Sequence, residues 1–212
     1  MSEKCVYCGK RKGERECPAL GGMICSVCCG KHRAVEISCP PDCRYFKKNE
    51  EFQQAKQADP YRDTWVKENE DILENQDREL IEAIGILETL IYYRFRDDTT
   101  LTDRRILNGL EGLTNQLKTI ELPGATSEFT DYAMEQLEPL IEKGKVSREA
   151  MKEATTRLKR VADAFTDDSR RLVQGVVGRT KEDYDLPEDE AKAPQKKLES
   201  LISTPGDINR RE

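Results

Sequence analysis

The sequence predicts a mostly α-helical protein: a small N-terminal two-zinc finger, an antiparallel helical bundle, and a disordered C-terminal tail. Three observations carry this. All eight cysteines and the single histidine fall between Cys5 and Cys43 of a 212-residue chain. After them, apolar residues recur at spacings of three, four and seven, the period of a helix that buries one face. Hydrophobic and charged residues each make up 36% of the chain, a balance that suits helices with wide solvated faces and not a thick buried sheet. The expected domains are a finger over 1–44, a bundle over 45–178 and a flexible tail over 179–212.

The finger comes first in the chain. Cys5-Val-Tyr-Cys8-Gly reads as a zinc knuckle. Its spacing turns both sulfurs to one metal, and Gly9 frees the turn that aims backbone N–H groups at them. Cys25-Ser-Val-Cys28 repeats the spacing and precedes a short helix. Cys39-Pro-Pro-Asp-Cys43 closes the region, with prolines that stop any helix. Two tetrahedral sites need eight ligands, and nine candidates are present. Site 1 is assigned to Cys5, Cys8, Cys25 and Cys28. Site 2 is assigned to Cys17, Cys29, Cys39 and Cys43, with His32 as the alternative to Cys29. The expected cofactor is Zn²⁺, two per chain. Iron–sulfur ligation through the Cys28-Cys29 doublet, and disulfides, are the competing readings.

The run ECPALGGMICSVCCGKHR resembles HIT-type and MYND-type zinc fingers. Those place CxxC first, then a CP-containing pair, then CS after an apolar residue. A Cys in the first helical turn, a His and a Cys follow. Cys5, Cys8, Cys17-Pro18, Ile24-Cys25-Ser26, Cys28 or Cys29, His32 and Cys39 fall in that order. Leu20 departs from it, standing where those fingers have the second Cys of the pair. Cys43 is additional. If Cys29 takes the helical ligand position, Cys28 is spare or joins site 2. The run is also similar to CPALxGxICSxCCG segments of prokaryotic proteins with no assigned activity. The resemblance implies a cross-brace finger that binds another protein.

Beyond the finger, Tyr45–Ala58 is expected to form a short helix that Asp59-Pro60 breaks. A second helix runs from Tyr61 to about Arg96, with Leu73, Leu80, Ile84, Leu87, Ile91 and Phe95 as its stripe. Thr102 caps a third, whose Ile106, Leu110, Leu113, Leu117 and Ile120 stripe stops at Leu122-Pro123-Gly124. Ser127 opens a fourth, containing Pro139, and Gly144-Lys145 separates it from a fifth. Ser147 caps this last helix, which is expected to reach Val177 through a polar step at Asp168-Ser169. Lys197–Ile202 is a possible docking helix in an otherwise solvated tail.

Charge bears on the partner. Residues 1–48 carry ten Lys/Arg against five Asp/Glu, a net +5; the rest carry 25 against 36, a net −11. Four thiolates on one Zn²⁺ leave about −2, so two sites would bring the head to about +1. A nucleic-acid role for Lys10-Arg11-Lys12, Arg15, Lys31, His32, Arg33, Arg44, Lys47 and Lys48 is thereby weakened. The expectation is a non-enzymatic protein-interaction or regulatory module. Nucleic-acid binding and metal or redox sensing are the alternatives. No membrane role is expected, self-association through the helices is a further option, and the location is cytoplasmic, since neither a signal peptide nor a spanning segment is legible. Closed thiolate sites, the lack of a phosphate loop and the lack of a nucleophile pair argue against catalysis.

Overall fold

A computed structural model describes residues 3–98, 101–118, 127–165 and 170–184, together with Leu198. The described chain is mostly helical, with eight helices and one short two-stranded antiparallel sheet. Two compact units emerge: Met1–Gln53 with Asp97–Thr100, and Gln54–Arg96 with Leu101–Glu212.

The first unit begins with the Cys5–Cys8 knuckle, where Gly9 takes φ +63°, a conformation open to glycine without strain. Strands β1 (Arg15–Cys17) and β2 (Gly22–Ile24) pair antiparallel, with Arg15 opposite Ile24 and Cys17 opposite Gly22. Val6 N–H donates to Met23 C=O at 2.9 Å and lays the knuckle against this hairpin. Helix α1 (Ser26–His32) starts at once, and Arg33 and Ala34 turn the chain away from it. Helix α2 (Arg44–Glu68) begins where Cys43 C=O accepts from Phe46 and Lys47 N–H.

The division between units falls inside α2, and α2 corrects the first helix expectation: the chain does not break at Asp59-Pro60. Pro60 lies within the helix. A proline in a helix interior costs about 3 kcal/mol. Ala58, Tyr61 and Trp65 flank it and are buried, and fully burying large apolar side chains stabilises by roughly 1.5–3 kcal/mol each. Burial therefore outweighs the break.

The second unit adds α3 (Glu70–Glu74), α4 (Arg78–Phe95), α5 (Asp103–Gln116), α6 (Glu128–Glu142), α7 (Arg148–Asp163) and α8 (Arg171–Asp183). The single helix expected over 61–96 is thus three segments. Asn75 ends α3, Gln76 adopts φ +52°, and Asp77 restarts the chain by accepting from Leu80 N–H at 3.1 Å. Helix α4 is the centre of the unit and packs on α3, α6, α7 and α8. Every residue from Ala83 to Tyr92 is buried, so α4 is enclosed on all sides and not striped on one face.

That enclosure takes in polar groups. Glu88 is fully buried. Its Oε1 accepts from Tyr61 OH at 2.6 Å and from Arg179 at 2.7 Å. The Arg179 guanidinium also lies 4.3 Å from the Trp65 ring. Gly109 admits Phe129 at a distance that a Cβ would forbid, and Thr130 Oγ1 donates to Gly109 C=O at 3.0 Å. These two contacts seat the start of α6 on α5.

Ser127 and Ser147 cap α6 and α7 through side-chain bonds to Thr130 and Ala150 N–H. Thr102 stands at the expected start of α5 but makes no side-chain cap bond. The long helix expected from Ser147 to Val177 is two, α7 and α8. The first turn of α8 is held from a distance, with Asp103 accepting from Leu172 and Val173 N–H at 3.0 Å each. Helix α8 continues past residue 178 to Asp183 and buries Arg179 and Thr180. The expected stop at Leu122-Pro123-Gly124 lies outside the described residues. So does the expected tail beyond Tyr184, except for Leu198, which is buried in the core of this unit. No helix among the described residues is long and apolar enough to cross a membrane.

Candidate metal centre

The knuckle and the start of α1 bring four sulfurs together. The Sγ atoms of Cys5, Cys8, Cys25 and Cys28 all lie within 4.8 Å of one another. Cys5, Cys25 and Cys28 are buried and Cys8 is half-buried. The turns dictate this arrangement. Gly9 N–H donates to Cys5 C=O at 2.8 Å and folds the knuckle back, which frees the next amides. Lys10 and Arg11 N–H point at Cys8 Sγ, while Tyr7, Cys8 and Cys25 N–H point at Cys5 Sγ. Cys25 is the N-cap of α1, and its Sγ accepts from Cys28 N–H at 3.4 Å.

These donors set the protonation. Burial pushes the Cys5 thiol up, but the amides aimed at it outweigh burial and bring it down to about 6. The Arg11 and Lys10 amides likewise lower Cys8. Cys28 is pushed up to about 12, by burial first and then by its bonds to Cys25, Cys8 and Cys5. Part of the set is thus prepared as thiolate, and a divalent ion that displaces the last protons meets four soft ligands at tetrahedral spacing. The group can hold a metal ion, and its chemistry fits zinc.

The remaining cysteines are arranged differently. Cys17 ends β1, Cys29 sits on α1, and Cys39 and Cys43 bracket the Pro40-Pro41 turn. All four line one small cavity together with Ile24, Ile37, Arg33, Tyr45 and Glu16. No three of them come within the mutual 4.8 Å of the first set. Two metals per chain were expected; the chain presents one assembled four-cysteine group and one group gathered around a cavity without ligand spacing. Burial pushes the Cys39 thiol up, the Ala34 N–H pulls it down, and Cys43, Cys17 and Cys29 push it up again.

His32 is placed elsewhere. Its Nδ1 lies 3.0 Å from Glu36 Oε1, and its ring stacks on Tyr7 with centroids 4.4 Å apart. Tyr7 OH donates to the other Glu36 oxygen. That bond is the first cause raising Tyr7 to about 12 and lowering Glu36. His32 does not line the cysteine cavity. It joins α1 to the knuckle through Tyr7, a residue the sequence reading passed over. Glu36 was legible as a partner, standing four residues after His32. Arg33, whose guanidinium reaches Cys29 Sγ at 3.9 Å and Tyr45 C=O at 3.1 Å, carried no such signal.

Compared with known proteins, the chain matches no family model, no curated protein and no solved structure.

Proposed function

We propose that this protein is a non-enzymatic zinc-binding module whose N-terminal finger presents a rigid surface to another protein. The observation that carries the reading is the Cys5, Cys8, Cys25 and Cys28 set, four sulfurs within 4.8 Å of one another with backbone N–H groups turned toward them. Four protein ligands complete a tetrahedral site and leave no position for a reacting water, which makes the metal structural. A second zinc at Cys17, Cys29, Cys39 and Cys43 completes the module as these four close on the cavity they line.

The interaction reading rests on what the metal would hold in place. Among the described residues, five of the eight exposed large hydrophobic side chains belong to the finger: Val6, Tyr7, Leu20, Val27 and Val35. Val6 and Tyr7 lie between the ligands of one pair and Val27 between those of the other, so a single metal would fix all three. The resemblance to HIT-type and MYND-type fingers points the same way.

Metal analysis of the purified full chain tests the reading. Two zinc ions per chain are expected, and Cys5→Ser should abolish binding at the first site and unfold the finger. Zinc binding supplies apparent folding energy of ~10–16 kcal/mol in small modules of this kind. A protein without bound metal, or one coloured by iron, overturns it. Salt-dependent binding of random-sequence duplex DNA would replace the protein partner with nucleic acid.

A further inference from the structure

Three arginines gather on Tyr45, which lines the cavity of the second cysteine group. Arg62, Arg94, Arg148, Arg157 and Arg179 are each ion-paired with a carboxylate. Arg15, Arg33 and Arg44 make no ion pair among the described residues, yet all three converge on Tyr45. The Arg15 and Arg44 guanidiniums lie 5.0 and 5.2 Å from the Tyr45 ring. Arg33 donates to Tyr45 C=O, and its Nε is buried with no hydrogen-bond partner. Both Arg33 and Tyr45 line the cavity of Cys17, Cys29, Cys39 and Cys43. Glu16 also lines it but makes no ion pair with any of the three. A half-buried guanidinium without a counter-ion is costly. Neutral thiols would leave that charge unanswered, whereas four thiolates on a divalent metal carry about −2.

We propose that Arg33 is a positioning and counter-charge residue of the second metal centre, holding the Cys29 sulfur by hydrogen bond and offsetting the charge of the metal-tetrathiolate group. The inference rests on the two-metal reading above. Arg33 NH2 already reaches Cys29 Sγ at 3.9 Å, and the orphaned Nε is a second donor on the same guanidinium. The next residue, Ala34, has a φ of +55°, unusual for a residue with a side chain, and its N–H donates to Ile37 C=O at 3.1 Å, closing the turn that leads to Cys39. Through Tyr45 C=O, Arg33 also anchors the first turn of α2, which begins directly after Cys43.

The test uses the zinc-loaded full chain and two variants, Arg33→Met, which keeps the stem and removes the charge, and Arg33→Lys, which keeps the charge. Zinc is titrated out with a chromophoric chelator, and the Co²⁺-substituted proteins are compared by thiolate-to-metal absorption. Wild type should release two ions. Arg33→Met should lose affinity for one of them by about 10–100-fold, the usual cost of removing a partner of a ligand. It should keep the other unchanged as an internal control of folding. Arg33→Lys should recover part of the loss. If wild type holds one ion only, the two-metal reading fails. If wild type holds two and Arg33→Met releases both as wild type does, the Arg33 assignment alone is overturned.

Discussion

Arg179→Met is the substitution that most directly probes how the helical unit tolerates charge in its centre. Glu88 has no exposed surface, and Arg179 is 7% exposed. The guanidinium supplies one of the two hydrogen bonds to Glu88 Oε1, while Oε2 has no protein partner. Removing the cation strands a buried carboxylate, which costs about 3–5 kcal/mol. Lost stacking on Trp65 adds about 1 kcal/mol. At ~2–4 °C per kcal/mol for a chain of this size, the midpoint should fall by roughly 10 °C or more. Glu88→Gln should cost less, because its amide oxygen can still accept from Tyr61 and Arg179 retains Asp183 at 2.9 Å. The double variant Glu88→Leu/Arg179→Met should lie within about 1–2 kcal/mol of wild type, since an apolar pair replaces an ion pair with little net loss. Burial raises the Glu88 carboxyl. A carboxyl raised in the folded state destabilises while ionised. The deficit of Arg179→Met should therefore be full at neutral pH and shrink as pH falls toward the unfolded value of about 4.3. Urea unfolding followed by circular dichroism measures each variant. A cost below about 1 kcal/mol for Arg179→Met, or a double variant equal to the sum of Arg179→Met and the single Glu88→Leu, would refute the reasoning.

Two further outcomes are expected of the same unit. Arg157 grips Asp71 with two bonds of 2.7 Å and lowers its carboxyl to about 2. A lowered carboxyl stabilises above its unfolded value of about 4, and this contribution is lost as pH falls toward about 2. Asp71→Asn should flatten that part of an acid-unfolding curve, by a modest amount because Asp71 is largely exposed. Asp103→Ala should remove both caps from the start of α8, cost about 2 kcal/mol and speed hydrogen exchange at Leu172 and Val173 before other amides.

What the sequence made legible depended on how local each cause was. Ser127 and Ser147 bond amides three residues on, and both were readable as caps. The first cysteine set was readable for the same reason, because each CxxC is closed by its own turn. The start of α8 was not readable. Its cap is Asp103, about 70 residues earlier, and no pattern within a helix-length window contains it. Pro60 was read as a stop because the local rule says so, and it is overruled by Ala58, Tyr61 and Trp65, whose burial is tertiary. The enclosure of α4 was hidden by Gly85, Glu88 and Thr89, which look like interruptions until Tyr61 and Arg179 are placed against Glu88.

The same distinction explains why the two cysteine groups differ. Among the described residues, the buried cluster around the finger cysteines, against which Tyr45 lies half-buried, contains two others, Ile24 and Ile37. Their burial is worth ~3–6 kcal/mol together, well short of the ~10–16 kcal/mol that a structural zinc supplies. On the proposed zinc reading, metal cross-links add more to this unit than its small core does. At the first group, short-range turns bring the sulfurs to ligand spacing. At the second, Cys17, Cys29, Cys39 and Cys43 come from a strand end, a helix and two sides of a proline turn, and no local turn can gather them. A metal would have to do that work itself, against the charge it accumulates. If the second metal proposed above is held there, Arg33 stands at that place with a buried donor unspent, and a single arginine should then decide whether the ion stays.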